Sequence, residues 1–432
     1  MKKLNFIIKC GLALLLLSFY SCESWLNVTP SDRLSEEMLF NDREGFVKAL
    51  NGVYIELNTN ELYGRNLTAG ALDVMGQYYS VASSSHAFYN YGGLVYTGND
   101  EKALFDNMWQ KCYAVIACCN TIIEKCDENK AGLSPVWKGA IKGEALALRA
   151  MLHFDMLRLF GPLTSELDKE SIPYQTNSDQ TVTPLLSGSE VVGLILDDLK
   201  NAVGLLKDTD PYFVEEEFSD TDLNYRRFRM NYFAAKGLMA RVQLWGGDKE
   251  KAAATAKEVI AEGQAEGAEF FPFVTNSEAT SSNPDRVFYS EVLFGTYHSS
   301  REKLHEDLFA PTLESTSILT LAGTARRDDL YDNENDYRYS VWSTYNKNGT
   351  SVLYHRKFEK QDNVTASRQY MIPLIRMSEM YLIAVECCKL DEASVYLNTF
   401  RNARNCNSLA LTEDNRINIL ANEYKKEMLG EG

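Results

Sequence analysis

Two neighbouring stretches of the chain dictate helices packed in pairs. Across residues 101–126, Phe105, Trp109, Cys112, Ile116, Cys119, Ile123 and Cys126 recur at alternating steps of four and three. That spacing draws one continuous apolar stripe down a helix. After a loop at Glu128 to Pro135, a second helix is expected from about Val136 to Phe160. Pro135 suits its start, and Gly161-Pro162 is a strong stop. Its stripe differs in kind: Ala140, Gly143, Ala147 and Ala150 are small, with Trp137, Ile141, Leu148 and Leu152 supplying bulk beside them. Small residues let two helix axes approach closely. Two adjacent antiparallel helices, one with such a stripe, are the unit of a tetratricopeptide-like hairpin.

The pattern returns along the chain. A helix is expected over Asp42 to Leu57, with Phe46, Leu50, Val53 and Tyr54 on one face. Val191 to Leu206 reads as another. Arg229 to Trp245 carries small positions at Ala234, Ala235, Gly237 and Ala240, and Asp248 can cap a following helix over Glu250 to Glu262. Ser378 to Leu390 and Asp391 to Arg404 form a last pair, with Asp391 as its cap. These pairs are not in tandem; segments 58–100, 161–188, 208–227 and 265–372 separate them. The last holds Phe270-Phe271-Pro272-Phe273, Val287-Phe288-Tyr289 and Val352-Leu353-Tyr354, which suit short strands and ordered loops. The expected fold class is therefore mainly α. Helical hairpins are placed at about 101–160, 189–262 and 376–404, and a loop-rich ligand side at about 58–100 and 265–372. A helical scaffold displaying long ordered loops is a binding architecture more often than a catalytic one.

The N-terminus adds an address. Met1-Lys2-Lys3 opens a positive region, an apolar run spans Leu12 to Phe19, and Ser21-Cys22 follows. Residues 1–21 read as a cleaved export signal, with Cys22 as the acceptor of a lipid anchor; the alternative is an ordinary secretory signal with an incidental Cys. Residues 22–40 form a tether and 41–432 the folded domain. No second apolar run is long enough to cross a membrane. The formal charge is −16, and the signal holds three of the lysines. An acidic body argues against nucleic acid and polyanionic ligands and is compatible with neutral sugars or peptides.

Catalytic and metal motifs are scarce. There is no G-x-S-x-G, H-E-x-x-H or G-x-x-x-x-G-K, and no C-x-x-C pair. Cys112, Cys119 and Cys126 read as small core fillers; the disulfide state is left open. His153 reads as a histidine satisfied by Glu or backbone, and Glu144 and Arg149 as ion partners on one helix. The acidic run Asp328 to Asp336 offers oxygen donors to calcium, but Tyr337 stands where a turning Gly belongs, which favours a solvated loop. No metal and no cofactor is expected.

The stretch Asp73 to Tyr96 carries the chemistry. Asp73, Tyr78, Tyr79, Tyr89, Asn90 and Tyr91 stand there beside His86, Phe88, Tyr96 and Gly92-Gly93. Sugars present apolar C–H faces and ringed hydroxyls. Flat rings meet the first, carboxylates and amides meet the second, and Tyr does both at low entropy cost.

In this order and spacing the motifs resemble the SusD/RagB family of outer-membrane nutrient-binding lipoproteins of Bacteroidetes, over nearly the whole chain. Ser21-Cys22 followed by Leu26-Asn27-Val28-Thr29-Pro30 is similar to the family's mature start. Trp109 with Cys119-Asn120-Thr121-Ile122-Ile123 looks like its first long helix. Gly143-Glu144-Ala145, Leu148-Arg149-Ala150 and Phe160-Gly161 look like its most recognisable block, and Ala235 to Leu244 with Gly247-Asp248 fits its second hairpin. Pro373-Leu374-Ile375-Arg376-Met377-Ser378-Glu379-Met380-Tyr381-Leu382 matches a late block, followed by Leu397-Asn398, Arg401 and Arg404. Glu423, Glu427, Gly430, Glu431 and Gly432 match a Glu-rich block that continues in the family with an Arg and an Asp-Leu segment, whereas this sequence stops at Gly432 and has Tyr424 where an Arg follows the Glu.

The resemblance implies a SusD-like fold with tetratricopeptide-like hairpins on one side and loops on the other. It implies a SusC-like TonB-dependent transporter as partner, an outer-membrane location through the lipid anchor, and capture of oligosaccharide without enzymatic activity. Peptide import and a structural lid with little affinity of its own are the alternatives. By position in the family's later loops, Tyr297, Arg338, Trp342 and Tyr345 join the expected ligand residues.

Overall fold

The structure, a computed structural model, describes residues 36–432 except 180, 220, 221, 223, 224, 268 and 269. Cys22, the export signal and most of the tether lie outside the described residues. Among the described residues, nine helices exceed ten residues: α1 (Arg43–Leu57), α2 (Asn99–Glu128), α3 (Pro135–Phe160), α4 (Gly188–Thr209), α5 (Tyr232–Trp245), α6 (Lys249–Gly263), α7 (Met377–Cys387), α8 (Leu390–Ala403) and α9 (Glu413–Glu427). The fold is mainly α, as expected.

Helices that long segments separate in the sequence are consecutive neighbours in space. α1 packs on α2, α2 on α3, and so on through α8, while α9 lies on α7. The small-residue stripe explains the tightest of these joints. A methyl group on Gly143 would stand 2.7 Å from Leu206 Cγ, and one on Gly139 2.5 Å from Thr209 Cγ2. Gly139 and Gly143 therefore let α4 lie against α3 where any side chain would collide. Caps set the boundaries. Asp42 accepts the Gly45 N–H at 2.8 Å to start α1, Ser187 and Glu190 form a capping box on α4, and Asp248 accepts the Lys251 N–H at 3.1 Å to start α6. Asp391 does not cap α8; it sits in the first turn, one residue after the helix has begun at Leu390.

Polar groups between helices are closed by fixed partners. Glu144 and Arg149 do not pair with each other. Five residues apart, they lie about 140° around the helix. Arg149 forks onto Asp198 of α4 at 2.7 and 2.6 Å and donates to Asn120 of α2 at 2.9 Å. Glu144 accepts from Tyr54 of α1 at 2.6 Å, from Arg229 at 3.0 Å and from Arg226. His153 is fully buried, with Nδ1 on the Arg149 carbonyl at 2.9 Å and Nε2 accepting the Gln175 N–H at 3.0 Å. Cys112, Cys119 and Cys126 fill the core, and the seven cysteines of the described residues are free thiols.

Among the described residues, three two-stranded antiparallel sheets complete the fold: β1 (Glu170–Pro173) with β2 (Leu185–Ser187), β3 (Val292–Tyr297) with β6 (Met371–Arg376), and β4 (Trp342–Lys347) with β5 (Thr350–His355). A buried ion network binds the end of the chain to them. Glu427 accepts from Arg404 at 3.0 and 2.6 Å, from Arg338 at 3.1 Å and from Arg376. Arg404 forks onto Glu291 at 2.8 and 2.6 Å, Arg376 reaches Glu431 at 2.8 Å, and Lys357 pairs with Glu431 at 2.5 Å. Arg401 and Lys426 share Glu423 and Asp332, and Arg338 also pairs with Asp336 and Glu423. Six cations thus meet six carboxylates. Burial pushes the Glu427 carboxyl up, but Arg376 and Arg404 outweigh it and hold it well below the usual range. Asp332 and Asp336 belong to the acidic run expected as a solvated loop; Asp332 is exposed as expected while pairing at the edge of this network, whereas Asp336 is buried within it.

Candidate functional site

The loop side closes through three segments far apart in the sequence. Residues 80–88 run beside residues 316–320. The Ser80 N–H donates to the Thr320 carbonyl at 2.8 Å, the Ala87 N–H to the Thr316 carbonyl at 3.0 Å, and His86 Nε2 meets the Ile318 carbonyl at 3.2 Å. Thr320 Oγ1 donates on to the Leu353 carbonyl of β5 at 2.7 Å. Lys347, the last residue of β4, sends its Nζ to the carbonyls of Thr312 and Leu313 at 3.1 and 3.0 Å and to the Glu314 carboxylate at 2.8 Å.

Between these segments opens a cleft of about 490 Å³, lined by Ser80, Ser315, Thr350 and Ser351 together with Leu313, Ile318, Leu321 and Val352. Its volume lies within the roughly 300–1,000 Å³ typical of small-ligand sites. The four hydroxyls make no hydrogen bond among the described residues. Among the described residues, the one cation on the wall, Lys347, is neutralised by Glu314 and two carbonyls. The cleft is therefore polar but locally neutral.

The β4–β5 hairpin supplies wall residues from both of its faces, Thr350 and Val352 on one and Ser351 and Leu353 on the other. In an antiparallel pair, directly opposed residues share a face, as do residues two apart. Tyr345 stands opposite Val352 and Lys347 opposite Thr350. Tyr345 shares its face with Lys347, Thr350 and Val352 of the wall and is 44% exposed, though it does not itself line the cleft. Trp342, three residues earlier, takes the opposite face. It is buried, with Nε1 donating to the Tyr331 hydroxyl at 3.3 Å.

The expected ligand residues divide by burial. Tyr89, Asn90 and Tyr345 reach solvent; Tyr89 is 41% exposed and directly follows the segment beside residues 316–318. Asn90 donates to Glu101 at 2.9 Å. Tyr78 is half-buried and lines a different cavity, with Arg158, Arg241, Trp245 and Tyr424. Tyr297 is half-buried in a ring cluster with Tyr225, Phe228 and Tyr370.

Five others expected as ligand residues are buried inside the protein and engaged with its own groups. Asp73 accepts the N–H groups of Gly430 and Gly432 at 2.6 and 3.2 Å and the Tyr79 hydroxyl at 3.1 Å. Burial pushes its carboxyl up to about 7 against those donors. Tyr79 packs on Phe309, and Tyr91 on Phe88. Arg338 is spent on Asp336, Glu423 and Glu427, and Trp342 on Tyr331. These residues hold the loops in place.

Sequence reasoning missed Ser80, Glu314, Lys347 and the hydroxyls of β5. One signal could have found the hairpin. Asn348-Gly349 adopts positive φ at both positions (52° and 88°) between two six-residue strands. Asn-Gly is the strongest short-range mark of a two-residue hairpin turn. Among the described residues, no group of three or more His, Cys, Asp or Glu is arranged to hold a metal, and no helix is long and apolar enough to cross a membrane.

Comparison with known proteins bears on this architecture. Residues 24–244 match a family described as starch-binding, associating with outer membrane, and residues 282–432 match the SusD family. The chain belongs to the SusD family. SusD-like protein P2 of Formosa agariphila is 26% identical over 265 residues, which cover 60% of this chain and 46% of that protein. The chain thus spans less than half the length of this curated relative. A SusD superfamily protein from Bacteroides thetaiotaomicron has the same fold, with a TM-score of 0.71 at 22% identity over 90% of this chain and 87% of the other. A laminarin-binding SusD-like protein superposes with a TM-score of 0.63 at 17% identity, over 90% and 89% of the two chains.

Proposed function

We propose that this SusD-family chain is a cell-surface lipoprotein, anchored through Cys22, that binds oligosaccharide in the loop-side cleft and hands it to a SusC-like TonB-dependent transporter. The observation that carries the reading is the cleft itself, which pairs unpartnered hydroxyls with a neutral wall and has the half-exposed Tyr345 on the hairpin beside it. A sugar ring offers C–H groups to the Tyr345 face and hydroxyls to Ser80, Ser315, Thr350 and Ser351. The neutral wall suits uncharged glycans. The family, with its laminarin-binding member, is consistent with that class of ligand. Binding and release need no covalent step, and no bond in the glycan is broken. Affinity is modest, because a few contacts must offset the ordering of a flexible ligand.

Calorimetric titration of the purified protein with a panel of soluble neutral glycans, acidic glycans and peptides tests the proposal. Saturable binding of a neutral glycan, with the oligosaccharide recovered at unchanged length after long incubation, is expected. Binding confined to peptides, or cleavage of the glycan, overturns it. Co-purification with a barrel protein from outer membranes tests the transporter.

A further inference from the structure

One wall of the cleft is the outer edge of β5, and that edge is open. Lys347 and Thr350 close the two-residue turn, so ladder hydrogen bonds fall on every second pair: Lys347 with Thr350, Tyr345 with Val352, Ser343 with Tyr354. The next bond of that series runs from the Arg356 N–H to the Val341 carbonyl at 2.7 Å. The residues between, Ser351, Leu353 and His355, turn their backbone groups away from β4. Two of these outward groups are spent. The His355 carbonyl meets His305 Nε2 at 3.0 Å, and the Leu353 carbonyl accepts from Thr320 Oγ1 at 2.7 Å. The Ser351 N–H, the Ser351 carbonyl and the Leu353 N–H have no hydrogen-bond partner among the described residues. Ser351 and Leu353 both line the cleft.

The Thr320 bond shows which way the edge looks, because Thr320 belongs to the opposite wall, residues 313–321. That wall is tied to the hairpin at two places. Lys347 Nζ holds its start, at Thr312, Leu313 and Glu314, and Thr320 holds its end. Between the ties β5 is open from Thr350 to Leu353, about 10 Å at roughly 3.3 Å per residue. A typical strand runs about five or six residues, so a peptide laid along β5 would meet one tie or the other. The opening suits a compact amide. Open strand edges read amides, through N–H and C=O groups. An acetamido group is an amide on a short branch, ending in a methyl. The cleft has an apolar seat for that methyl in Ile318, Leu321 and Leu353, all buried. The group is also uncharged, which matches the neutralised Lys347.

We propose that the cleft selects glycans carrying an N-acetylated amino sugar. The acetamido carbonyl accepts the Ser351 N–H, which stands mid-way along the opening and is exposed. The acetamido N–H points the opposite way in a trans amide and donates to a hydroxyl across the cleft, that of Ser80 or Ser315. The Ser351 carbonyl is left for an adjacent ring hydroxyl. A hydroxyl in place of the acetamido group gives up the methyl seat and one of the two walls. This inference rests on the glycan reading above and narrows its ligand class.

The test is calorimetric titration of the whole purified chain with a β-linked N-acetylglucosamine trimer and the glucose trimer of the same linkage, which differ in acetamido for hydroxyl. An extended neutral peptide of similar mass is the further arm. The acetylated trimer should bind at least about tenfold more tightly than the glucose trimer. Equal or tighter binding of the glucose trimer overturns the inference and leaves the glycan reading standing. Binding of no glycan overturns both. Tighter binding of the peptide overturns the inference in favour of strand addition to β5. Ser351→Pro deletes the outward N–H while leaving the ladder bonds in place, and should bring the two trimers to within about threefold of each other; an unchanged preference overturns the assignment. Should that variant fail to fold, crystals of the unsubstituted protein with the acetylated trimer decide. An acetamido carbonyl on the Ser351 N–H supports the proposal, and a trimer seated elsewhere overturns it.

Discussion

Arg149 and Lys347 are both long cations set between packed elements, yet they do opposite things. Arg149 lies among packed helices with its side chain 7% exposed, and its fork ends on Asp198, Asn120 and the Thr176 carbonyl. Lys347 sits at the lip of an open cleft, with its charge cancelled by an exposed Glu314 and two carbonyls. On the helical side, charged groups such as Arg149 and Glu144 are closed by fixed partners on neighbouring elements. On the loop side, the same kinds of groups hold a rim, and hydroxyls and a ring are left over. A site built on a stiff frame loses less entropy when it binds. The contrast therefore places stability on one side and, under the proposed function, recognition on the other.

The largest effect should come from the ion network. Glu427→Gln removes the charge on which Arg338, Arg376 and Arg404 converge, leaving buried cations unmatched. It should cost about 3–5 kcal/mol of unfolding free energy, read by urea denaturation. Glu314→Gln on the loop side removes an exposed partner and should cost under about 1 kcal/mol. Equal costs for the two would erase the distinction.

Next comes pH. Burial pushes His153 down to about 3, where a free histidine titrates near 6.5. Between those values the unfolded chain binds a proton that the folded chain refuses. His153 thus contributes stability that is fully present above pH 6.5 and is lost as pH falls toward 3. From pH 6.5 to 5 the loss is about 2 kcal/mol, at about 1.4 kcal/mol per pKa unit. Urea melts at both pH values should show this slope in the unsubstituted protein and a shallower one in His153→Gln. Parallel slopes would mean that His153 is not the group responsible.

Smaller again is the α3–α4 joint. Gly143→Ala places a methyl group against Leu206 and should lower stability by about 1–3 kcal/mol through overpacking. Ligand affinity should stay unchanged, because the joint belongs to the helical side.

Legibility in the sequence followed the same division. α2, α3, α5 and α6 were readable because their buried faces are apolar or small at helical spacing. α9 was not, because its buried face carries Glu423, Lys426 and Glu427 while Ile417 points to solvent at 77% exposure; a hydrophobic period has nothing to register there. Asp73 invites a ligand role on chemistry alone. Its partners Gly430 and Gly432 stand more than 350 residues away, and no local pattern announces that pairing. Trp342 and Tyr345 looked equivalent as nearby aromatics. The strand they share sends them to opposite faces, which only the Asn348-Gly349 turn and its register reveal.

That register makes the smallest prediction the most specific. Tyr345→Ala should leave the urea midpoint almost unmoved, since the ring is largely exposed and a surface substitution usually stays within about 0.5 kcal/mol. Its cost should appear in glycan affinity instead, at about 0.5–1.5 kcal/mol for the loss of one aromatic face, or roughly a two- to twelve-fold weaker Kd. Tyr345→Phe keeps the face and should retain most of that affinity. Trp342→Ala, three residues away, should do the reverse, lowering stability by about 3–5 kcal/mol through the cavity it leaves. A Tyr345→Ala protein that binds glycan as tightly as its parent would move recognition away from this face of the hairpin, leaving the exposed Tyr89 edge of the loop side as the place to look.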